Sequence, residues 1–183
     1  MTRVLKVKNT YFTLLASVKA HLNIESSYTD DDTLITSIIE DATALAELEI
    51  DGDIADTTTT VEKYNFCGQY VYLDVTPAQS ITSINYLDDN GDSQSITIAD
   101  VEISYGTQQT RINLEEYYDT DKLTVVMKTG YTSLATTPKG IQRAILMKCA
   151  DLYDVERGSM ISGAFKDSKA FERALQPYKR ITW

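Results

Sequence analysis

The sequence predicts an α+β protein. A helical bundle core, built from the two ends of the chain, carries an inserted antiparallel β-meander that closes as a small sandwich or partial barrel. Three observations carry this expectation. Two stretches, at residues 34–48 and 141–153, repeat apolar residues at three- and four-residue spacing, as one face of a helix does. Between them the period changes to two, with clean alternation at Val71, Leu73 and Val75 and again at Leu123, Val125 and Met127. Glycine and aspartate clusters mark the joints. The chain divides accordingly into an N-terminal helical part (residues 1–56), an inserted β domain (57–129), and C-terminal helices with a tail (130–183).

Taken in order, Val4, Leu5 and Val7 alternate with Arg3, Lys6 and Lys8, a pattern that fits a short edge strand or a basic arm equally. Leu14, Leu15, Val18 and Leu22 then form the stripe of one amphipathic helix of about three turns. The single histidine, His21, lies on it and reads as a surface or packed residue, because no nucleophile is spaced to meet it. Asp30-Asp31-Asp32 lacks the alternating oxygen ligands and glycine of a calcium loop. Its carboxylates are expected to cap the next helix and to favour its positive N-terminal end. That helix carries Leu34, Ile35, Ile38, Ile39, Ala42, Leu45, Ala46 and Leu48, a stripe wide enough to bury on two sides. Asp51-Gly52-Asp53 ends it.

Strands are expected at 61–66, 70–75, 81–87, 94–98, 101–105, 111–114 and 123–128. Asp89-Asn90-Gly91-Asp92 is a hairpin signal, since Asn-Gly tolerates the positive φ angles of a two-residue turn. Many of the twelve tyrosines fall in this section. They fit strand packing and an interface equally.

The helix after Pro138 is the best delimited. Thr136 or Thr137 is placed to cap it and Pro138 suits its first turn. Ile141, Ala144, Ile145, Cys149, Leu152 and Tyr153 make its stripe, and Gly158 stands where it stops. Residues 158–163 read as a hinge. A short helix follows, capped by Asp167 or Ser168, bearing Phe171, Ala174 and Leu175, and stopped by Pro177. The end of the chain interleaves Tyr178, Ile181 and Trp183 with Lys179 and Arg180, apolar surface that would be wasted unless it docks. On a protein of net charge −10, docking on protein is favoured over single-stranded nucleic acid.

The charge is unevenly placed. Between residues 20 and 62 stand twelve carboxylates and no Lys or Arg, whereas residues 166–183 carry five cations against Asp167 and Glu172. Cys67 and Cys149 have neither a disulfide framework nor metal-ligand spacing and read as free thiols of a reducing compartment, Cys149 buried on its helix. The N-terminal residues lack the apolar segment of a signal peptide, and no apolar run approaches the roughly 20 residues of a membrane span. A soluble protein made inside the cell is expected. No phosphate-cradling glycine loop, zinc spacing, nucleophile elbow or paired metal motif occurs. No catalytic, cofactor-binding or metal residue is therefore named, and no enzyme is expected.

The order of several short motifs resembles the head–tail connector (adaptor) proteins of tailed bacteriophages, in their long form with a β-rich insertion. The first motif is the run Leu15-Ala16-Ser17-Val18-Lys19-Ala20-His21-Leu22-Asn23-Ile24. Asp31, Asp32, Leu34, Ile35, Ile39 and Ala42 follow, then Ile81, Ile84, Tyr86, Asp88 and Gly91. Gly130-Tyr131, residues 138–145, the run 152–157 and Pro177-Tyr178-Lys179 complete the series. Two departures stand out: Glu156-Arg157 reverses the usual order, and Lys179 replaces the usual arginine.

The resemblance implies a homo-oligomeric ring, usually dodecameric, beneath the portal protein of the filled head. Such a ring extends the DNA channel and docks a stopper or tail-completion protein, while genomic DNA passes without specific binding. The implied location is the virion. Head-to-tail rings need two unlike complementary surfaces on each subunit. The expected ring interface comprises Ile35, Ile38 and Ile39, tuned by Glu40, Asp41 and Glu47. The expected portal-docking tail comprises Tyr178, Lys179, Arg180, Ile181 and Trp183. The alternative is a tail-completion (terminator) protein at the tail end of the connector.

Overall fold

A computed structural model describes residues 1–10, 14–106, 108–156 and 169–180. The chain forms two compact units: one from Met1–Thr10 and Ala55–Tyr131, the other from Tyr11–Ile54 and Thr132–Trp183. The first is a sheet and the second is helical. Thr2–Thr10, grouped with the N-terminal helices on sequence alone, is an edge strand of the sheet.

The sheet holds β1 (Thr2–Thr10), β2 (Asp56–Leu73), β3 (Ala78–Leu87), β4 (Ser93–Ile96), β5 (Glu102–Tyr105) and β6 (Thr110–Thr129). All pairings are antiparallel, in the order β1-β2-β6-β3-β4, with β5 also on β6. The strands do not pair in strict chain order: β2 and β3 are both neighbours of β6. The 20-residue β6 makes this possible, because one of its edges serves β5 near residues 110–113 and β3 near residues 123–129.

Four of the expected strands are merged pairwise into β2 and β6. The backbone shows how. In β2 the buried positions are Thr57, Thr59 and Val61, then Phe66, then Val71 and Leu73. Asn65, at φ 52°, and a register shift between Gly68 and Tyr70 each change which parity faces inward. In β6 the buried set passes from Thr110, Ile112 and Leu114 to Leu123, Val125, Met127 and Thr129, and Glu115 at φ 62° lies between the two sets. Irregular residues thus let each long strand keep one face on a single core. That core joins Val61, Phe66, Val71 and Leu73 to Ile84, Ile112, Leu123 and Met127.

The β3–β4 connection runs from residue 88 to 92 and is longer than a two-residue turn. Gly91 has φ 84°, but Asn90 is not left-handed. The turn is held instead by Asp88, whose Oδ1 accepts from the Asn90 and Asp92 amides at 3.0 and 2.9 Å and whose Oδ2 accepts from Gln94 at 2.8 Å. The Gln94 side chain first, and then the backbone amides, hold this carboxyl below its usual range.

The helical unit contains α1 (Leu15–His21), α2 (Asp32–Ile50), α3 (Lys139–Glu156) and α4 (Ala170–Leu175). Leu14, Val18, Ile35, Ile38, Ile39, Ala42, Ile141, Ile145, Cys149 and Leu175 are buried in it. Each fully buried Leu or Ile contributes roughly 1.5–3 kcal/mol. α1 spans seven residues, shorter than its apolar spacing implies. α2 ends where expected, with Asp51 rather than Gly52 in the left-handed conformation (φ 52°). α3 begins one residue after Pro138, and the Thr137 hydroxyl donates back to the Ser133 carbonyl at 3.0 Å. The hinge at 158–163 and the capping residues Asp167 and Ser168 lie outside the described residues.

Candidate protein-interaction sites

Three features of the helical unit bear on partners, and the first is a polar staple. Lys19 lies within the apolar stripe of α1, four residues after Leu15, and is 5% exposed. Burying an ammonium there needs compensation. Its Nζ donates to the Tyr28 carbonyl at 2.6 Å and pairs with the Asp32 carboxylate. Beside it, Tyr153 of α3 donates to Asp31 Oδ2 at 2.7 Å. No side-chain capping bond forms at the α2 N-terminus. The aspartates expected to cap α2 instead tie it to α1 and α3, although their charge still sits favourably at the positive end of the helix. A lysine on an apolar stripe was the available signal.

The second feature is the outer face of α2. Glu40 and Asp41 are exposed, as are Leu45 (39%) and Leu48 (79%), at the spacing that places Asp41, Leu45 and Leu48 on one stripe. Ile35, Ile38 and Ile39, expected to face a neighbouring subunit, are between 0% and 4% exposed. This corrects the expectation: α2 packs on α1, α3 and α4, which use up that side of the stripe. Glu47 is also turned inward, its Oε1 accepting from the Ile54 amide at 2.9 Å. Of the six expected interface residues, Glu40 and Asp41 are exposed and Glu47 is half-buried.

The third is the start of the C-terminal tail. The Tyr178 ring lies over Gly140, where a Cβ would stand 2.8 Å from ring atoms Cε2 and Oη. The Lys179 Nζ reaches Glu49 Oε1 at 2.9 Å. The Arg180 amide donates to the Ile50 carbonyl at 2.9 Å, and its Nε donates to Asp51 Oδ2 at 2.9 Å. The tail was expected to leave its subunit. In the single chain Tyr178, Lys179 and Arg180 are seated on it, because the cation-free end of α2 offers carboxylates and a carbonyl to them. Ile181 and Trp183 lie outside the described residues.

In the sheet unit, Asn65, Cys67, Asp88, Asp89, Asp119 and Asp121 line an open cleft of about 600 Å³. Cys67 Sγ stands 2.6 Å from the Tyr117 hydroxyl, and this contact raises the Tyr117 pKa. Burial pushes the Cys149 thiol up to about 12, where it is unreactive. Among the described residues no group of His, Cys, Asp and Glu is placed to hold a metal ion, and no helix is long and apolar enough to cross a membrane. His21 is exposed on α1.

A family model described as the phage gp6-like head-tail connector protein matches residues 12–111, more than half of the chain. The chain belongs to this family. A comparison with curated proteins found no match. The connector is similar in fold to a chain in the neck of an empty gene transfer agent (GTA) particle computed with C6 symmetry. There the TM-score is 0.77 at 13% identity, over 98% of this chain and 97% of the other. A chain in the virion of a native GTA particle gives 0.76, and one in a native neck computed with C12 symmetry gives 0.72, at the same identity and coverage. At that identity the likeness concerns the fold of the connector, helical unit and sheet unit alike.

Proposed function

We propose that this connector is the head–tail adaptor. Its copies, expected to number twelve, form a ring below the portal protein, extend the DNA channel and dock the stopper or tail-completion protein in the virion. The observation that carries this is the likeness over nearly the full length of both chains to a subunit of particle necks, joined to family membership. The exposed α2 stripe supports it: Leu45 and Leu48 give apolar area, and Glu40 and Asp41 give charge that tunes association. The net charge of −10 favours a channel wall that repels DNA, because gripping phosphates needs Lys or Arg to release counterions. The seated form of Tyr178, Lys179 and Arg180 is the resting one, and these residues change partners when the tail meets the portal.

The test is capture of purified portal protein against purified tail-tube protein by the tagged connector. Retention on portal alone is expected. Retention on the tail tube alone would make the chain a terminator and overturn the adaptor reading.

A further inference from the structure

β1 and β4 are the two ends of one sheet, and among the described residues no strand pairs with the outer edge of either. Each therefore presents unpaired backbone amides and carbonyls. Their chemistry is opposite. β1 is basic, with Arg3, Lys6 and Lys8 and no carboxylate, and all of 1–9 is exposed. Arg3 lies 3.8 Å from Glu62 of β2, and Lys6 and Lys8 are the other two cations of the strand. Val4, Leu5 and Val7 are 45%, 41% and 65% exposed, far more than β-branched and leucyl side chains of a finished sheet need to be. The β4 end is acidic, with Asp88, Asp89 and Asp92 and no cation from residue 88 to 96. Asp88 is engaged inside its turn, while Asp89, Asp92, Ser93, Gln94 and Ser95 are exposed.

We propose that β1 of one copy adds to the β4 edge of the next, so that the sheets join head to tail around the assembly. This rests on the ring reading above and deepens it by naming an interface away from α2. Unlike patches at opposite ends of one sheet are what a head-to-tail contact requires. Main-chain hydrogen bonds would supply the pairing and the apolar β1 side chains the contact area. The lysines set specificity: an edge bearing them repels a second β1 and accepts an acidic edge.

Two experiments test it. Lys6→Glu/Lys8→Glu and Asp89→Lys/Asp92→Lys, all at exposed positions, should each reduce incorporation into necks about tenfold at low salt and less at high salt. The four changes together should restore it, and melting of the free chain shows that each variant folds. Amide exchange, compared between the free chain and necks isolated from particles, should slow at least about tenfold in β1 and β4 and stay unchanged in β5. A ring that forms without that protection, or a fourfold variant that is not rescued, overturns the edge pairing and leaves the ring standing. A chain that forms no ring in particles overturns both.

Discussion

Replacing Lys19 with Met removes an ammonium from the centre of the helical unit while keeping most of the stem. The Tyr28 carbonyl loses its donor at 2.6 Å and Asp32 loses its counter-charge, in a place where Lys19 is 5% exposed. Breaking a fully buried ion pair by removing one partner costs about 3–5 kcal/mol. The Asp32 side chain is 30% exposed and so partly solvated, which lowers the expected cost to about 2 kcal/mol. For a protein of this size that is a drop of about 4–8 °C in the melting of the helical unit. Asp32→Asn should cost about half as much, because Lys19 keeps the Tyr28 carbonyl. Adding Asp32→Leu to Lys19→Met should recover part of the loss, since no charge is then left without its partner. Thermal and urea unfolding followed by far-UV circular dichroism measure all three. A Lys19→Met protein within about 0.5 kcal/mol of wild type would refute the staple as a source of stability.

The remaining predictions concern the tail and the thiols. Gly140→Ala should destabilise by about 1 kcal/mol, because the clash with the Tyr178 ring outweighs the gain in helix propensity; in a Tyr178→Ala background it should be neutral or stabilising. Equal effects in the two backgrounds, measured by thermal melting, would show that the ring does not sit there. Deleting residues 179–183 removes the Lys179–Glu49 and Arg180–Asp51 pairs, in which Arg180 is 16% and Asp51 57% exposed, together with the Arg180 hydrogen bond to the Ile50 carbonyl, and should lower stability by about 1–2 kcal/mol, while attachment to portal-bearing heads is lost. A larger drop in melting, or normal attachment, would contradict the docking role. At pH 8 a thiol reagent should titrate Cys67 quickly and Cys149 only on unfolding, since a thiol at about 12 holds almost no thiolate there. Two equally fast thiols would contradict that placement.

The helices were the legible part of this connector. α2 and α3 follow from apolar spacing alone, because a stripe at three- and four-residue intervals has few other uses. What that spacing could not decide is which side of a wide stripe belongs to the chain itself. Ile35, Ile38 and Ile39 and the exposed pair Leu45 and Leu48 are equally apolar, and only the packing of α1, α3 and α4 separates them. The long strands were hidden for a different reason. Asn65 and Glu115 adopt positive φ within strands, where a sequence reader expects a turn, and the alternation changes phase near each. β1 was undecided because the residues that make it a strand, 56–63 of β2, lie some fifty positions away and leave no local trace. The basic tail reads in sequence as a docking segment, whereas its seat on Glu49, Ile50 and Asp51 does not show there. The sequence signal is one of charge: a cation-free run of carboxylates next to a helix end invites a cation from elsewhere in the chain.

A reconstruction of the neck of the particle that carries this chain would show at once whether it is the adaptor. A closed ring of this chain in contact with the portal is expected, with Lys179 and Arg180 of each copy departing from the end of α2 to meet it. A neck in which this chain lies at the tail end without portal contact would contradict it.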